Sequence, residues 1–201
     1  MSSRRIVWLV VILIVLALYF PINRIAHGGT QILLPFDKNI PLFPSAIIPY
    51  LFGSLLFIAF PIWAAVFAKP QEFEAYAISI LLATVASYAV YLAFPTFVTR
   101  PEIASTDIFS KAMEILYKTD KAYNAVPSGH AFSTTMIFLY LSRWRPDYRF
   151  AWLIIAILVL ASTLLTRQHN LIDLFSGVLL GVLAYIVGRS VQRKWGPVFA
   201  S

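Results

Sequence analysis

Six apolar segments, separated by polar connections, constrain the fold of this 201-residue chain more than any other feature. They are Ile6–Ile22, Ser45–Ala68, Ala75–Val98, Ala131–Leu141, Phe150–Thr166 and Leu171–Val187. A helix needs about 20 apolar residues to cross a bilayer, and its backbone must be hydrogen-bonded internally there. The fourth segment reaches that length only if residues 129–142 are helical and the helix entrance dips into the membrane. The segments predict an all-α integral membrane bundle of six transmembrane helices, forming one domain over residues 1–201.

The composition favours a membrane setting over a soluble one. Hydrophobic residues make up 60% of the chain, charged residues only 12%, and the mean hydropathy is +0.78. A net charge of +7 is compatible with nucleic-acid binding, but the basic residues flank the apolar segments instead of forming one polar domain. We therefore expect the lipid bilayer, and not nucleic acid, as the partner. The chain lacks cysteine, so disulfides and thiolate metal sites are excluded.

The distribution of Lys and Arg predicts the orientation. The N-terminus, the loops at 69–74 and 142–149 and the C-terminus together contain nine of these cations, and the connections on the other side contain seven. Because cytoplasmic loops carry the excess of Lys and Arg, both termini are predicted to be cytoplasmic. The 98–130 loop and the 166–170 turn then face the extracytoplasmic side of the cell membrane. The oligomeric state is not encoded in any feature that we recognise.

The stretch 105–118 predicts one more helix, between the third and fourth spans. Its apolar residues fall on one helical face, namely Ile108, Phe109, Ala112, Met113, Leu116 and Tyr117. Ser105, Thr106 or Asp107 can cap its start. We interpret it as an amphipathic helix at the membrane surface. The alternative is a loop helix that covers the bundle, and the two interpretations are compatible.

Three polar clusters lie at span ends on the predicted extracytoplasmic side. The first contains Arg100 in "TRPE", the second Ser128 and His130 in "VPSGH", and the third Arg167, His169 and Asp173 in "TRQHNLID". Polar residues at span ends are costly, so each cluster demands a reason. A single histidine in such a position is more often structural than functional. Three clusters on one face, with complementary chemistry, favour one shared site.

The residue types in the clusters fit chemistry at a phosphoryl group. His169 and Asp173 are four apart, and a carboxylate on one ring nitrogen leaves the other as a basic lone pair, which suits a nucleophile. His130 follows a Pro127-Ser128-Gly129 helix entrance, where unpaired amides attract anions.

Two arginines complete the predicted site. The guanidinium groups of Arg100 and Arg167 suit phosphate oxygens, and they would repel a metal cation, so we predict neither a metal nor a cofactor. Pro127 and Asn124 are assigned to the supporting shell, although Asn124 fits a turn equally well. Asp173, Gly177 and Gly181 form a small-residue stripe that favours close packing of the sixth span over dimerisation.

The three clusters resemble the motifs of the type 2 phosphatidic acid phosphatase (PAP2) superfamily, Kx6RP, PSGH and SRx5Hx3D. PSGH is complete at 127–130, RP is present at 100–101 and Hx3D at 169–173, while Ser162 occupies the serine position of the third motif. Their order and their placement between spans also match, so the resemblance covers most of the chain.

The chain departs from the family pattern at two phosphate-binding positions. The motif lysine would fall at Ala93 and the motif arginine at Thr163. Arg167 lies one helical turn after Thr163, and we predict that it takes over the role of the missing arginine. A cation two residues before the histidine, together with "FDKNIPLFPSAIIPY" at 36–50, looks like the branch of sphingomyelin and inositol-phosphorylceramide synthases.

The resemblance implies a metal-independent lipid phosphatase that acts through a phosphohistidine. His169 would attack phosphorus, with Asp173 orienting it, and His130 would protonate the leaving oxygen. Arg100, Arg167, Ser128 and the Gly129 amide would hold the phosphoryl oxygens. Two alternatives stay open: a head-group phosphotransferase, in which a lipid alcohol replaces water, and a non-catalytic transporter or lipid-binding protein. The substrate is expected to be a lipid phosphate or diphosphate, but the sequence does not indicate which.

Overall fold

A computed structural model describes residues 1–199 of the chain, and the predicted domain extends two residues beyond that range. It contains eight α-helices: α1 Ser3–Ala17, α2 Tyr19–Ile25, α3 Ile47–Phe67, α4 Pro70–Ala93, α5 Ile108–Thr119, α6 Gly129–Trp144, α7 Arg149–Leu165 and α8 Leu171–Phe199. Short 3-10 helices occur at Pro35–Asn39, Pro44–Ala46 and Pro146–Tyr148. Within the described range, extended pairing is limited to two isolated bridges, Thr30 with Thr96 and Phe97 with Tyr123. The all-α prediction is confirmed.

Among residues 1–199, five helical segments are long and apolar enough to cross a membrane, as expected of an integral membrane protein. They are Ser3–Ile25, Pro44–Phe67, Pro70–Ala93, Pro146–Leu165 and Leu171–Trp195. The fourth predicted span corresponds to α6, which has 16 residues. At 1.5 Å per residue it is about 24 Å long, shorter than a hydrocarbon core of about 30 Å. The count of six spans therefore stays a prediction.

The predicted ends of two spans are wrong. The third span was expected at Ala75–Val98, but α4 begins and ends five residues earlier. Pro70 fits the first helical position, and Pro95 excludes the helical conformation from the residue before it, so α4 stops at Ala93. Helix α8, which contains the sixth predicted span, continues to Phe199, well past the expected end at Val187.

Glycines allow α8 to press against its neighbours α4 and α6. A Cβ atom at Gly177 would lie 2.6 Å from the carbonyl oxygen of Ser128, and one at Gly181 would lie 2.7 Å from that of Phe132. A Cβ at Gly188 would similarly meet the carbonyl oxygen of Ala75 at 2.7 Å. The stripe thus serves helix packing inside the chain, as the sequence predicted.

The helices alternate in direction, so the bundle has two ends with different connections. We call the "site end" the one where α4 and α7 end and where α6 and α8 begin. The "opposite end" holds the start of α1, the α3–α4 turn and the end of α6. Each end is connected by its own hydrogen bonds. At the site end, Ser128 N–H donates to the Asp173 carbonyl and links the starts of α6 and α8. At the opposite end, the Arg5 side chain donates to the Ala65 and Ala68 carbonyls and links α1 to the end of α3.

Helix α5 covers part of the site end. Asp107 caps it by accepting from the amides of Phe109 and Ser110, one of the three caps that the sequence allowed. At its other end, the Tyr117 hydroxyl donates to the carbonyl of Thr166. The predicted helix therefore exists and contacts the bundle, and its position relative to a membrane surface stays a prediction.

Candidate active site

The three polar clusters of the sequence meet at the site end. The rings of His130 and His169 lie 6.5 Å apart between centroids. The second cluster is joined to the third by a 3.0 Å hydrogen bond from Ser128 N–H to the Asp173 carbonyl. The first cluster reaches the third because Arg100 donates to the Gln168 side chain, next to His169. Segments that span more than seventy positions of sequence thus lie next to one another.

His169 faces Asp173, but helical spacing does not bring them together. His169 precedes α8, which starts at Leu171, and the pairing depends on the cap of that helix. The Asp173 Oδ2 atom accepts from the Asn170 amide at 2.8 Å and lies 3.5 Å from His169 Nδ1. That second distance is too long for an ordinary hydrogen bond, and Nδ1 has no other partner among the described residues. Catalytic hydrogen bonds often shorten only when substrate binds.

A second carboxylate, that of Asp37, fixes the start of α8 from a distant loop. Its Oδ1 accepts from the amide of Leu171 at 2.8 Å, and its Oδ2 accepts from the amide of Leu34 at 2.7 Å. The side chain is fully buried. An anionic acceptor at a helix N-terminus satisfies amides that have no intrahelical partner. Asp37 therefore holds the turn that carries His169.

The PSGH segment forms the entrance of α6 as the sequence predicted. The Ser128 hydroxyl caps the helix by accepting from the Ala131 amide at 3.2 Å, and the Pro127 carbonyl accepts from the hydroxyl of Tyr91 at 2.6 Å. Gly129 is the first helical residue. Amides at such a position have no intrahelical acceptor and point toward an incoming anion.

His130 is held by α3, which sequence reasoning did not foresee. Its Nε2 atom lies 2.8 Å from the Ser54 hydroxyl. Its ring stacks on that of Tyr50 at a centroid distance of 4.2 Å and an interplanar angle of 27°. Both α3 residues sit inside an apolar span, where a tyrosine or a serine carries no signal of function.

The guanidinium group of Arg100 is positioned by α5 and by the third cluster. Nη1 donates to the carbonyls of Tyr117 at 3.2 Å and Asp120 at 2.6 Å, Nη2 donates to Gln168, and the group lies 4.6 Å above the Tyr117 ring. Arg100 is thus fixed in place, and its buried Nε–H has no acceptor among the described residues.

Arg167 also lies at the site end, but its Nη1 atom already donates to loop carbonyls. Its backbone adopts φ 53°, and its Nη1 donates to the carbonyls of Asp37 at 2.7 Å and Ile40 at 3.1 Å. Thr163, at the family's arginine position, is fully buried and bonds back to the Leu160 carbonyl. The replacement of the missing arginine by Arg167 stays a prediction, with its remaining donors available.

Asn124 and Gln168 add buried amides whose nitrogens have no partner. Asn124 adopts φ 60° and is 4% exposed, and Gln168 is 5% exposed. Neither Nδ2 of Asn124 nor Nε2 of Gln168 has a hydrogen bond among the described residues. Buried donors are normally paired, so these two amides can donate to an anion at this end of the bundle. Gln168 was not selected from the sequence, although it lies inside the third cluster.

Asp120 is a second acidic residue that the sequence did not place at the site. Its Oδ1 accepts from the Tyr19 hydroxyl at 2.7 Å, and its carbonyl accepts from Arg100. Burial raises the pKa of this carboxyl, and the Tyr19 hydrogen bond and the charges of Arg100 and His169 lower it in part. The Asp120 carboxyl therefore lies next to Arg100, one of the predicted phosphate ligands.

Comparison with known proteins bears on the family and the fold. The family model described as PAP2 superfamily matches residues 73–197, more than half of the chain. A crystal structure of Aquifex aeolicus LpxE is similar to the fold, with a TM-score of 0.56 and 19% identity over 87% of this chain and 94% of that one. The search of curated proteins gave no match.

Proposed function

The chain belongs to the PAP2 superfamily, and from that membership we propose that it is a membrane phosphohydrolase acting on a lipid phosphate or lipid diphosphate. The observation that carries the proposal is the meeting of His130, His169 and Arg100 at one end of an apolar bundle. A nucleophile, an acid and an anion ligand are the parts that phosphoryl transfer requires. The similarity to LpxE supports the fold.

In the proposed reaction, the Nε2 lone pair of His169 attacks phosphorus. The bond from phosphorus to the lipid oxygen breaks, and His130 gives its proton to that oxygen. Asp173 holds the Nδ1–H of His169, which favours the attacking tautomer and the cationic phosphohistidine that forms. Water then attacks phosphorus, His130 takes its proton, and release of phosphate restores His169.

The phosphoryl oxygens are proposed to bind to Arg100, Arg167, Ser128 and the Gly129 amide, with Asn124 and Pro127 supporting the entrance of α6. Two observations favour these roles. Arg100 retains an unpaired buried Nε–H, and the start of α6 presents amides and the positive end of the helix dipole. Such fixed donors stabilise the charge of the transition state without reorganisation. The mechanism proposed for this site needs no metal.

The membrane setting is proposed from the same arrangement. Helix α6 serves as the fourth of six spans, because its neighbours α3, α7 and α8 are all long enough to cross a bilayer. The Lys and Arg distribution favours cytoplasmic termini and a site on the extracytoplasmic side of the cell membrane. Helix α5 then lies at the membrane surface, where it can roof the site.

The test is an assay of the purified protein in detergent with a chelator. Substrates are phosphatidic acid, phosphatidylglycerol phosphate, undecaprenyl diphosphate and sphingolipid phosphates, and free phosphate is measured. We expect wild-type release, a loss of at least about 1000-fold in His169→Ala, and a loss of about 100-fold or more in His130→Ala. His27→Ala is the matched control, because His27 is an exposed loop residue bonded only to the Ile25 carbonyl.

The outcomes separate the candidate functions. Lipid product without free phosphate would identify the phosphotransferase instead. Wild-type turnover no greater than that of His169→Ala would reject the catalytic proposal in favour of a transporter or lipid-binding protein. Labelled phosphate that remains on the wild type after alkaline quenching, but not on His169→Ala, would support the phosphohistidine.

A further inference from the structure

Three residues of α3 surround the imidazole of His130 on one helical face. Tyr50 stacks on the ring, Ser54 lies 2.8 Å from Nε2, and a Cβ at Gly53 would lie 3.6 Å from the ring carbon Cδ2. The spacings i, i+3 and i+4 place them side by side. We call Tyr50, Gly53 and Ser54 the imidazole seat.

We propose that Ser54 is a positioning residue, which accepts the Nε2–H of His130 and so leaves Nδ1 as the nitrogen that exchanges a proton with substrate. This inference rests on the proposed function, in which His130 is the acid. It adds a residue from outside the family match, because α3 precedes residues 73–197. None of the three motifs includes the imidazole seat.

We assign the direction of the hydrogen bond from the neighbours of Ser54. Its hydroxyl lies 3.2 Å from the carbonyl oxygen of Tyr50, which can only accept, and 2.8 Å from His130 Nε2. A hydroxyl has one proton but two lone pairs. When that proton goes to the Tyr50 carbonyl, the Nε2 atom must donate. The chain of bonds then runs from Nε2–H to the Ser54 oxygen and from the Ser54 proton to the carbonyl.

The tautomer decides which ring nitrogen can work. With Nε2 occupied, Nδ1 is the ring nitrogen without a hydrogen bond in the described part of the chain. A proton on Nδ1 can pass to the leaving oxygen of the lipid, and the neutral ring keeps Nε2–H on Ser54. The same acceptor therefore serves both protonation states. Histidines are oriented in this way when the second nitrogen has a fixed partner.

Close packing explains why the seat is on α3. A Cβ at Gly53 would lie 2.4 Å from the Val159 side chain, so glycine lets α7 approach α3 at this level. Tyr50 is 2% exposed, and its ring cannot leave the stack without opening the core. The ring of His130 is thus limited on its face by Tyr50 and at Nε2 by Ser54.

A spectroscopic test reads the tautomer without any assay of turnover. The chain contains three histidines, so ¹⁵N-histidine labelling in detergent gives few signals, and His27→Gln and His169→Gln identify those of His130. We expect neutral His130 to be protonated on Nε2 in wild type, and to become a mixture of tautomers in Ser54→Ala. Protonation on Nδ1 in the wild type, or an unchanged spectrum in Ser54→Ala, would overturn the proposal.

The rate of phosphate release tests whether Ser54 positions His130 for catalysis. Loss of a group that orients a catalytic histidine costs about 10-fold to 100-fold, so we expect kcat of Ser54→Ala to fall by about 10-fold with little change in KM. Ser54→Thr keeps the hydroxyl and should recover most of the rate, since Ser54 is only half-buried.

Ser79→Ala is the control for packing, because Ser79 has the same bonding pattern in α4. Its hydroxyl bonds the Ala75 carbonyl four residues earlier and the Tyr140 hydroxyl, toward the opposite end. Its kcat should stay within about twofold of wild type. Equal losses in Ser54→Ala and Ser79→Ala, or no recovery in Ser54→Thr, would reduce Ser54 to a packing residue. If no lipid phosphate is hydrolysed by wild type, the proposed function fails and the tautomer result still decides the seat.

Discussion

The two ends of the bundle treat their charged side chains in different ways. At the opposite end four arginines have fixed partners: Arg4 pairs with Glu74, Arg143 and Arg189 pair with Glu72, and Arg5 caps the end of α3. At the site end, four buried polar atoms have no partner among the described residues: Arg100 Nε, Asn124 Nδ2, Gln168 Nε2 and His169 Nδ1. In the same described range, unpaired buried atoms also occur on Tyr76, Thr84, Ser142 and Trp152, so the two ends differ in their charged side chains and not in the number of unpaired polar atoms.

The difference in charged groups is consistent with the proposed phosphate site. An unpaired buried donor costs about 1–3 kcal/mol, and more when the group is charged, so a partner matters most for the Nε–H of Arg100. The left-handed backbone at Asn124 and Arg167 lies at the same end. Such local costs concentrate at functional sites because the surrounding structure compensates for them.

The largest contrast is expected between two arginines, one at each end. Arg100→Ala removes a fixed donor to the proposed phosphoryl group and should lower kcat/KM by about 100-fold or more. Arg143→Ala breaks an ion pair whose arginine side chain is 48% exposed, so it should change activity by less than about twofold and stability by less than about 1 kcal/mol. Phosphate release and thermal unfolding measure both. Similar activity of the two variants would remove the functional distinction between the ends.

A smaller contrast is expected between two glycines of α8. Gly177→Ala places a Cβ 2.6 Å from the Ser128 carbonyl oxygen and 2.7 Å from the Ala131 Cβ, so it must displace the entrance of α6. Gly188→Ala meets the Ala75 carbonyl oxygen at 2.7 Å, toward the opposite end. Overpacking of this kind costs about 1–3 kcal/mol in each variant.

Activity should separate the two glycine variants where stability does not. At a temperature where both are folded, Gly177→Ala should lose about 10-fold or more in kcat, because misplacement of reacting groups by about 1 Å can cost about 100-fold. Gly188→Ala should keep near-wild-type kcat. Equal kcat values would show that the α6 entrance tolerates displacement.

The smallest effect concerns pH and the two ends of α5, where Asp107 caps the start and Asp120 follows the last residue. Burial raises the pKa of Asp120, whereas hydrogen bonds from Ser105 and Ser110 lower the pKa of Asp107. A raised folded pKa gives stability below the unfolded pKa of about 3.9, which is lost as pH rises through the folded value. A lowered folded pKa gives stability above the unfolded value, which is lost as pH falls through the folded one.

The corresponding amide variants should shift stability in opposite directions. At pH 7, Asp120→Asn should unfold at a higher temperature than wild type and Asp107→Asn at a lower one. The difference for Asp120→Asn should shrink as pH falls through the raised folded pKa and be gone below about 4, whereas that for Asp107→Asn should begin to shrink only below about 4. Thermal unfolding from pH 3 to pH 8 measures both, and shifts of the same sign would contradict the assigned pKa directions.

Much of the helical fold follows from local sequence. The apolar segments locate the long helices because an apolar helix satisfies its own backbone, and Asp107 and Ser128 cap helices where the sequence allowed it. Apolar residues continue past Ala93, so hydropathy alone predicts a later end for α4 than the one that Pro95 imposes. Apolar composition marks a segment, but prolines and caps set its ends.

The site was predictable where its residues form motifs and not elsewhere. Arg100, His130, His169 and Asp173 stand out as polar residues at span ends. Gln168 lies within the third motif but at none of its defined positions, and Asp120 is one of several charges in a polar loop. Tyr50 and Ser54 could not be found, because their contact with His130 joins positions 76 or more residues apart.

The sequence by itself determined that this chain forms apolar helices with phosphate-type chemistry at their ends, since periodicity, hydropathy and motif spacing are local properties. Only the tertiary structure decided which partners complete that chemistry. The cap that brings Asp173 to His169, the Asp37 carboxylate on the start of α8, and the α3 seat of His130 all depend on helix packing. Packing is set by the shapes of several segments together, and glycines such as Gly53 and Gly177 acquire meaning only once the neighbouring helix is in place.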